Sequence, residues 1–273
     1  MSGSSIQVRK ASDYQYIDEG PRTASVPVVL LHGMLGDLSN WTDSVHALAA
    51  SGYRVLVPVL PIYDLPLTMT SVGGLVEYVR GFLLQLGVGP AVLVGNSLGG
   101  HVALIYALRY PESIPAMILS GASGIYEVNI GSSTPRRQDR NFIRERAAVT
   151  FYDPVHVTEE LVEDMFAIVN NRSRVMRLIK MARSTKSDTV TEHLESITTP
   201  TLLVWGQDDL ITPPVVGYEF LERLPNATLY FLERCGHAPM IERPEEFNEL
   251  MLDFLAGAIA VSEDTEAEER SAR

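Results

Sequence analysis

The chain of 273 residues carries a single cysteine, Cys235. One thiol cannot close an intrachain disulfide, so neither a disulfide-stapled scaffold nor an oxidising compartment is indicated. Long hydrophobic runs are missing as well: no apolar stretch reaches the length of a bilayer span, and Met1 to Ala11 has no apolar h-region. The expectation is a cytoplasmic protein with no membrane span. Positive charge is scarce, 22 Lys and Arg against 34 Asp and Glu, for a formal net charge of -12. Phosphate backbones are bound by clustered cations that release counterions, so this balance argues against a nucleic-acid partner. HExxH, CxxC and Walker patterns are absent, and no metal, nucleotide or other cofactor is implied. A small-molecule substrate is the expected partner, with the chain acting as a monomer or homodimer.

What is present is the material of a packed core. Apolar residues make up 46% of the chain and charged residues 21%, a balance far from that of a disordered polymer. Part of the acidity is local, because Glu263, Asp264, Glu266, Glu268 and Glu269 follow one another with no base among them. Residues 262–273 therefore read as a solvated, disordered acidic tail.

Short β-rich apolar runs stand at Val26 to Leu31, Tyr53 to Val59, Ala91 to Val94, Ala116 to Leu119, Thr201 to Trp205 and Thr228 to Leu232. Tyr14 to Asp18 is added as an antiparallel edge strand. Between the runs lie segments of helical period, Val72 to Leu86, Leu98 to Tyr110, Val216 to Leu224 and Pro244 to Leu255. Such alternation implies an α/β fold, a mostly parallel twisted sheet with helices on both faces. The beat fails between Ser123 and Thr199, where Arg, Glu and Met dominate. Residues 123–198 are expected to be an inserted helical cap, with helices at Arg137 to Ala148, Thr158 to Asn170 and Ser173 to Ser184. The core domain is then 1–122 with 199–261.

Chemistry concentrates at the ends of the expected strands. Gly95-Asn96-Ser97-Leu98-Gly99 joins the strand Ala91 to Val94 to the helix that follows. With Gly and Ser each near ~7% of residues, a G-x-S-x-G pattern arises by chance in roughly one chain in ten of this length. The strand-turn-helix setting gives the pattern a mechanism: a tight turn lifts the Ser97 hydroxyl above the sheet, and the Leu98 N–H at the helix start faces a developing oxyanion. A serine hydroxyl needs a base held by a third group. Of six histidines, His237 follows the last expected strand, at the carboxyl end of the sheet where ligands bind. Between serine and histidine in the chain, Asp208 and Asp209 both stand after the strand Thr201 to Trp205. The alternative to a catalytic role there is a turn residue that binds its own backbone. His32-Gly33-Met34-Leu35-Gly36 closes the first parallel strand, and its glycines allow the Met34 N–H to act as a second oxyanion donor. His32 comes too early in the chain to be the base and is read as structural.

His32-Gly33, Gly95 to Gly99, Trp205 to Pro213 and Gly236-His237, in that order, resemble the α/β-hydrolase fold family from about Val26 to Leu255. The resemblance implies a triad of Ser97, Asp209 and His237, because the family's acid stands in G-x-x-D-x-x-x-P, here Gly206 to Pro213. It also implies an oxyanion hole from Met34 and Leu98. After Val59 the chain departs from many relatives, with Pro61 to Pro66 replacing a D-x-x-G-x-G-x-S stretch. Serine at the elbow argues against the branches that use an aspartate nucleophile. The elbow through Gly100, and Phe151-Tyr152-Asp153 with Glu159 to Asp164, are similar to the meta-cleavage product hydrolases, which break carbon–carbon bonds. Those enzymes have a Trp after the catalytic histidine and a cap Arg for the substrate carboxylate, where this chain has Ala238 and Met165.

The expected function is therefore a serine hydrolase that cleaves carboxylic esters of small or medium acyl chains through an acyl-enzyme. Carbon–carbon hydrolysis of the meta-cleavage type is one alternative, and a non-turnover small-molecule receptor on the same fold is another. Trp41, Asn96, His101, Tyr126, Phe151, Met165, Leu210 and Met240 are candidates to line the pocket. The arginines at 136, 137, 140, 144, 146, 172, 174 and 177 are read as a solvated cap surface balanced by acids, with attraction of an anionic substrate as the alternative.

Overall fold

The computed structural model describes residues 6–24, 26–128 and 136–271, with side chains as far as residue 258. Its strands are β1 (Val8–Ala11), β2 (Tyr14–Glu19), β3 (Val28–Leu31), β4 (Val55–Pro58), β5 (Val92–Asn96), β6 (Met117–Ser120), β7 (Thr201–Gly206) and β8 (Ala227–Leu232). They form one sheet in the order β1-β2-β4-β3-β5-β6-β7-β8. From β4 through β8 every pairing is parallel, while β2 meets β4 and β1 meets β2 antiparallel. Every residue of β3 to β7 is buried, which is why these strands read as unbroken apolar runs rather than as alternating patterns.

Within each strand, neighbours serve opposite faces. Val28 and Leu30 pack with Val45 and Leu48 of α1 (Thr42–Ala50) and with Phe247 and Met251 of α9 (Pro244–Ser271). Val29 and Leu31 face the other core, built by α2 (Val72–Gln85), α3 (Leu98–Arg109) and α7 (Pro214–Arg223). β2 is held to β4 by charge as well as by its backbone: the buried Asp18 carboxylate accepts two hydrogen bonds from Arg54, at 3.0 and 3.2 Å.

Two expectations change. β2 is not the edge of the sheet, because β1 lies outside it; three of the four residues of β1 are exposed, so no apolar alternation announced the strand. Nor is the acidic tail irregular, since α9 runs on to Ser271. Ala258, Ala260 and Ala267, with the glutamates at 263, 266, 268 and 269, are strong helix formers and favour continuation of the helix. Residues 272 and 273 lie outside the described part.

Between β6 and β7 the chain leaves the sheet to build α4 (Arg140–Ala148), α5 (Glu159–Asn170) and α6 (Arg172–Ser187). Residues 129–135 of the expected cap lie outside the described residues. Side-chain oxygens of Asp139, Thr158 and Asn171 accept backbone N–H groups at the three helix starts, which explains the boundaries. Ile143, Ala147, Val157, Val162 and Met165 form a small core of their own. α6 fastens these helices to the sheet domain by running along residues 65–72. Val72 N–H donates to Ser184 Oγ at 2.9 Å, Lys180 donates to the Leu67 carbonyl, and Arg177 Nε donates to the Leu65 carbonyl at 2.8 Å. No helix of the described residues is long and apolar enough to cross a membrane.

Candidate active site

Ser97 stands between the last residue of β5 and the first of α3, with φ 53° and ψ -116°. Left-handed backbone of this kind costs a non-glycine residue about 1–3 kcal/mol and persists only where its surroundings enforce it. Here the Ser97 N–H donates to Ser120 O at 3.0 Å, and Ser97 O accepts from the N–H groups of His101 and Ser123, each at 3.1 Å. The turn is thus pinned by the ends of β5, β6 and α3 together.

Asp209 and His237 reach the same end of the sheet from the loops after β7 and β8. Asp209 Oδ2 accepts from His237 Nδ1 at 2.8 Å and from Thr212 Oγ1 at 2.9 Å. Its Oδ1 accepts from the N–H groups of Ile211 and Thr212 at 2.8 and 2.9 Å. Both oxygens are thereby filled, and the carboxylate is 1% exposed. Asp208 is exposed, and its N–H donates to Cys235 O at 2.9 Å. Of the two adjacent carboxylates, only Asp209 meets the histidine. The His237 backbone is fixed on both sides: its N–H donates to Thr150 O at 2.7 Å, and its carbonyl accepts from Asn96 Nδ2 at 2.9 Å. Asn96 also donates to Ser120 O at 3.0 Å, so the residue before Ser97 ties the elbow to the histidine loop.

The loop after β3 lies against the elbow. A Cβ on Gly33 would come within 3.3 Å of both Ser97 Cβ and Asn96 Oδ1. Tyr63 Oη donates to Met34 O at 2.7 Å, fixing the Met34 carbonyl. Leu98 opens α3, and first-turn N–H groups have no helical acceptor. His32 is buried, with Nδ1 donating to Gly33 O at 2.9 Å and Nε2 accepting from Leu60 N–H at 3.0 Å. Burial holds its pKa below the ordinary histidine value, and the neutral ring bridges the loops after β3 and β4.

The remaining candidates are dispersed. Trp41 and Met240 are 0% and 1% exposed and pack with Phe247 in the core beneath α1 and α9. Met165 belongs to the core of the inserted helices, and Phe151 packs where that core meets the sheet domain. Tyr126 and Leu210 are 55% and 59% exposed. His101 is buried, its Nε2 donating to Asp188 O at 2.8 Å, and burial lowers its pKa. Gly121 escaped notice in the sequence. At φ +50° it passes so close to the Asp209–His237 pair that a Cβ would fall 2.9 Å from His237 Nδ1 and 3.1 Å from Asp209 Oδ2. Only the Gly-rich run Ser120 to Gly124 signalled it.

The inserted helices divide electrostatically. Arg140 and Arg144 pair with Glu163 and Glu159, as a balanced surface requires. α6 carries Arg172, Arg174, Arg177, Lys180, Arg183 and Lys186 with no acid, and none of them forms an ion pair among the described residues. Along this face Ser184 meets residue 72, Lys180 meets 67 and Arg177 meets 65. Burial pushes the Tyr63 phenol up in pKa, and the Arg174 charge opposes it.

A family model described as the alpha/beta hydrolase family matches residues 28–250. A 2-hydroxy-6-oxononadienedioate/2-hydroxy-6-oxononatrienedioate hydrolase of Burkholderia vietnamiensis is 30% identical over 263 residues, covering 88% of this chain and 90% of the relative. A 2-hydroxy-6-oxo-6-phenylhexa-2,4-dienoate hydrolase of Burkholderia cepacia is 32% identical over 250 residues, with coverage of 84% and 87%. Among solved structures, an alpha/beta hydrolase enzyme from the metagenome of sediments of the Mar Chica lagoon, Morocco, is 31% identical with a TM-score of 0.76, over 92% of this chain and 98% of the other. The meta-cleavage product hydrolase of Pseudomonas fluorescens IP01 is 25% identical with a TM-score of 0.75, over 90% and 94%.

Proposed function

The chain belongs to the alpha/beta hydrolase family and is a hydrolase, and from that premise we propose that Ser97 is its nucleophile, His237 the general base and Asp209 the residue that orients the base. The observation that carries this reading is the buried 2.8 Å bond from His237 Nδ1 to Asp209, which leaves Nε2 as the nitrogen free to take the serine proton. Ser97 attacks the substrate carbonyl while its proton passes to His237. The N–H groups of Met34 and Leu98 receive the oxyanion. The leaving group takes the proton from His237, and a water activated by the same ring releases the acid.

For the bond that breaks, the names of the relatives favour carbon–carbon hydrolysis of a 2-hydroxy-6-oxodienoate over ester cleavage, the reverse of the preference drawn from the sequence. A proton first moves from the 2-hydroxyl to carbon 5, giving a 2-oxo group. Attack at the 6-oxo carbon then breaks the bond between carbons 5 and 6. The electron pair left on carbon 5 spreads through the remaining double bond to the oxygen at carbon 2, which is protonated. Such a substrate is an anion, and the cations of α6, which form no ion pair among the described residues, are the counter-charge that Met165 cannot supply. Ester cleavage is the second reading. It is favoured by Met165 and Ala238, since esters need no charge-assisted anchor, worth roughly 1.5–3 kcal/mol, for their binding. The test is kcat/KM on a 6-phenyl dienoate and on a neutral short-chain ester with one enzyme preparation. The dienoate is expected to lead by about tenfold or more, the value of one such anchor. A lead for the ester overturns the carbon–carbon reading and restores the other.

A further inference from the structure

Glu242 closes the short helix α8 (Pro239–Glu242), five residues after His237, and points back at two loops at once. Its Oε1 accepts from Gly236 N–H at 2.7 Å, on the loop that carries the histidine. Its Oε2 accepts from Tyr152 N–H at 2.7 Å and Asp153 N–H at 3.2 Å, on the segment that links α4 to α5. The same two loops are joined directly by the bond from His237 N–H to Thr150 O. They lie so close that a Cβ on Gly236 would come 2.7 Å from Thr150 O and 2.9 Å from Tyr152 N.

We propose that Glu242 is a positioning residue: its carboxylate latches the α4–α5 linker to the His237 loop, so that the base stands in register with Ser97 only while the inserted helices are seated. The proposal rests on the reading of His237 as the general base. One carboxylate serves both loops because an ionised carboxyl accepts through both oxygens, and three charge-assisted bonds converge on it. A glutamine has one acceptor oxygen and turns two donors toward N–H groups that are themselves donors. A single hydrophobic contact would hold the loops together, but it would not fix the peptide planes on either side of His237. Burial raises the Glu242 pKa while its three N–H partners lower it. Ionising this group in the fold therefore costs stability, and the carboxylate serves geometry instead.

The test compares wild type with Glu242→Gln, Glu242→Asp, Arg144→Ala and His237→Ala. Amide exchange at Gly236, Tyr152 and Asp153 reads the latch without reference to catalysis. The rate of labelling by a small fluorophosphonate, against pH, reads the placement of the base. In Glu242→Gln the three amides lose protection together, kcat and the labelling rate fall about 10- to 100-fold, and KM stays within about threefold, as expected for an angstrom-scale misplacement. The acid limb of the labelling profile moves with them. Glu242→Asp, too short to reach both loops, loses less and stands in if the glutamine variant does not fold. Arg144→Ala loosens the α4–α5 surface without touching the latch and leaves the labelling rate within about twofold, as for loss of an exposed pair. Unchanged protection at the three amides, a normal labelling rate in Glu242→Gln, or an equal loss in Arg144→Ala overturns the proposal. Normal labelling of His237→Ala overturns the general-base reading instead, and the amide exchange still judges the latch.

Discussion

Asp208 and Asp209 have the same chemistry and opposite surroundings, and a single substitution separates them. Asp209→Asn turns an amide toward His237 Nδ1 and favours the wrong tautomer, so kcat is expected to fall by about 10⁴ on the precedent of serine proteases. Asp208→Asn, exposed and away from the ring, is expected to stay within about twofold. Steady-state kinetics of the two variants checks this, and the reverse ranking would exchange the assignments. The proposed triad of Ser97, Asp209 and His237 could be drawn from the sequence because each sits in a short motif tied to a strand end. Glu242, Thr150 and Gly121 were not, because their parts are played through backbone groups of distant loops, and backbone contacts leave no pattern of residue types. Trp41 and Met240 misled for the converse reason: nearness in sequence to Met34 and His237 says nothing of which side of the sheet a side chain enters.

Among the elements, β3 to β7 could be read from apolar runs because every residue in them is buried, whereas β8 keeps only Leu232 buried and α1 was not expected from the sequence. β1, with three of its four residues exposed, leaves no such mark. β2 is an intermediate case, bound to β4 partly through Arg54 and Asp18, whose side chains are 14% and 3% exposed. Arg54→Ala strands a buried carboxylate with only the exposed Arg22, 3.4 Å away, as a partner. The loss is expected to be about 2–3 kcal/mol, below the ~3–5 kcal/mol of a wholly buried pair because Arg22 compensates in part. Combining Asp18→Leu with Arg54→Met is expected to recover most of it, since apolar replacement of both partners removes the unpaired charge. Urea unfolding of the three proteins provides the measurement, and equal stability of Arg54→Ala and wild type would show the pair to be idle.

For the whole molecule, the two buried neutral histidines, His32 and His101, tie stability to pH. Burial lowers both pKa values below 6.5 in the fold, so the unfolded chain takes up protons first as pH falls. Stability is complete above about 6.5, the unfolded value, and declines below it by up to ~1.4 kcal/mol per pH unit for each ring. Glu242 acts in the opposite sense, because its raised pKa favours the fold at low pH. Denaturation midpoints between pH 7.5 and 5.5 are expected to fall, with about half the slope in His101→Gln, which removes one of the two rings. A flat profile in wild type would mean that neither ring is kept neutral by the fold. The order of the strands also sets a schedule for the nascent chain. Asn96 and His237, which are joined in the finished site, are 141 residues apart in sequence. At synthesis rates of about 5–20 residues per second, the elbow leaves the ribosome on the order of ten seconds before its histidine. β5 and β6 can pair in that interval, but β7 and β8, which bring Asp209 and His237, come last. On the proposed assignment the serine is therefore made without its base, and hydrolytic power arrives only after the sheet that shelters it has been made.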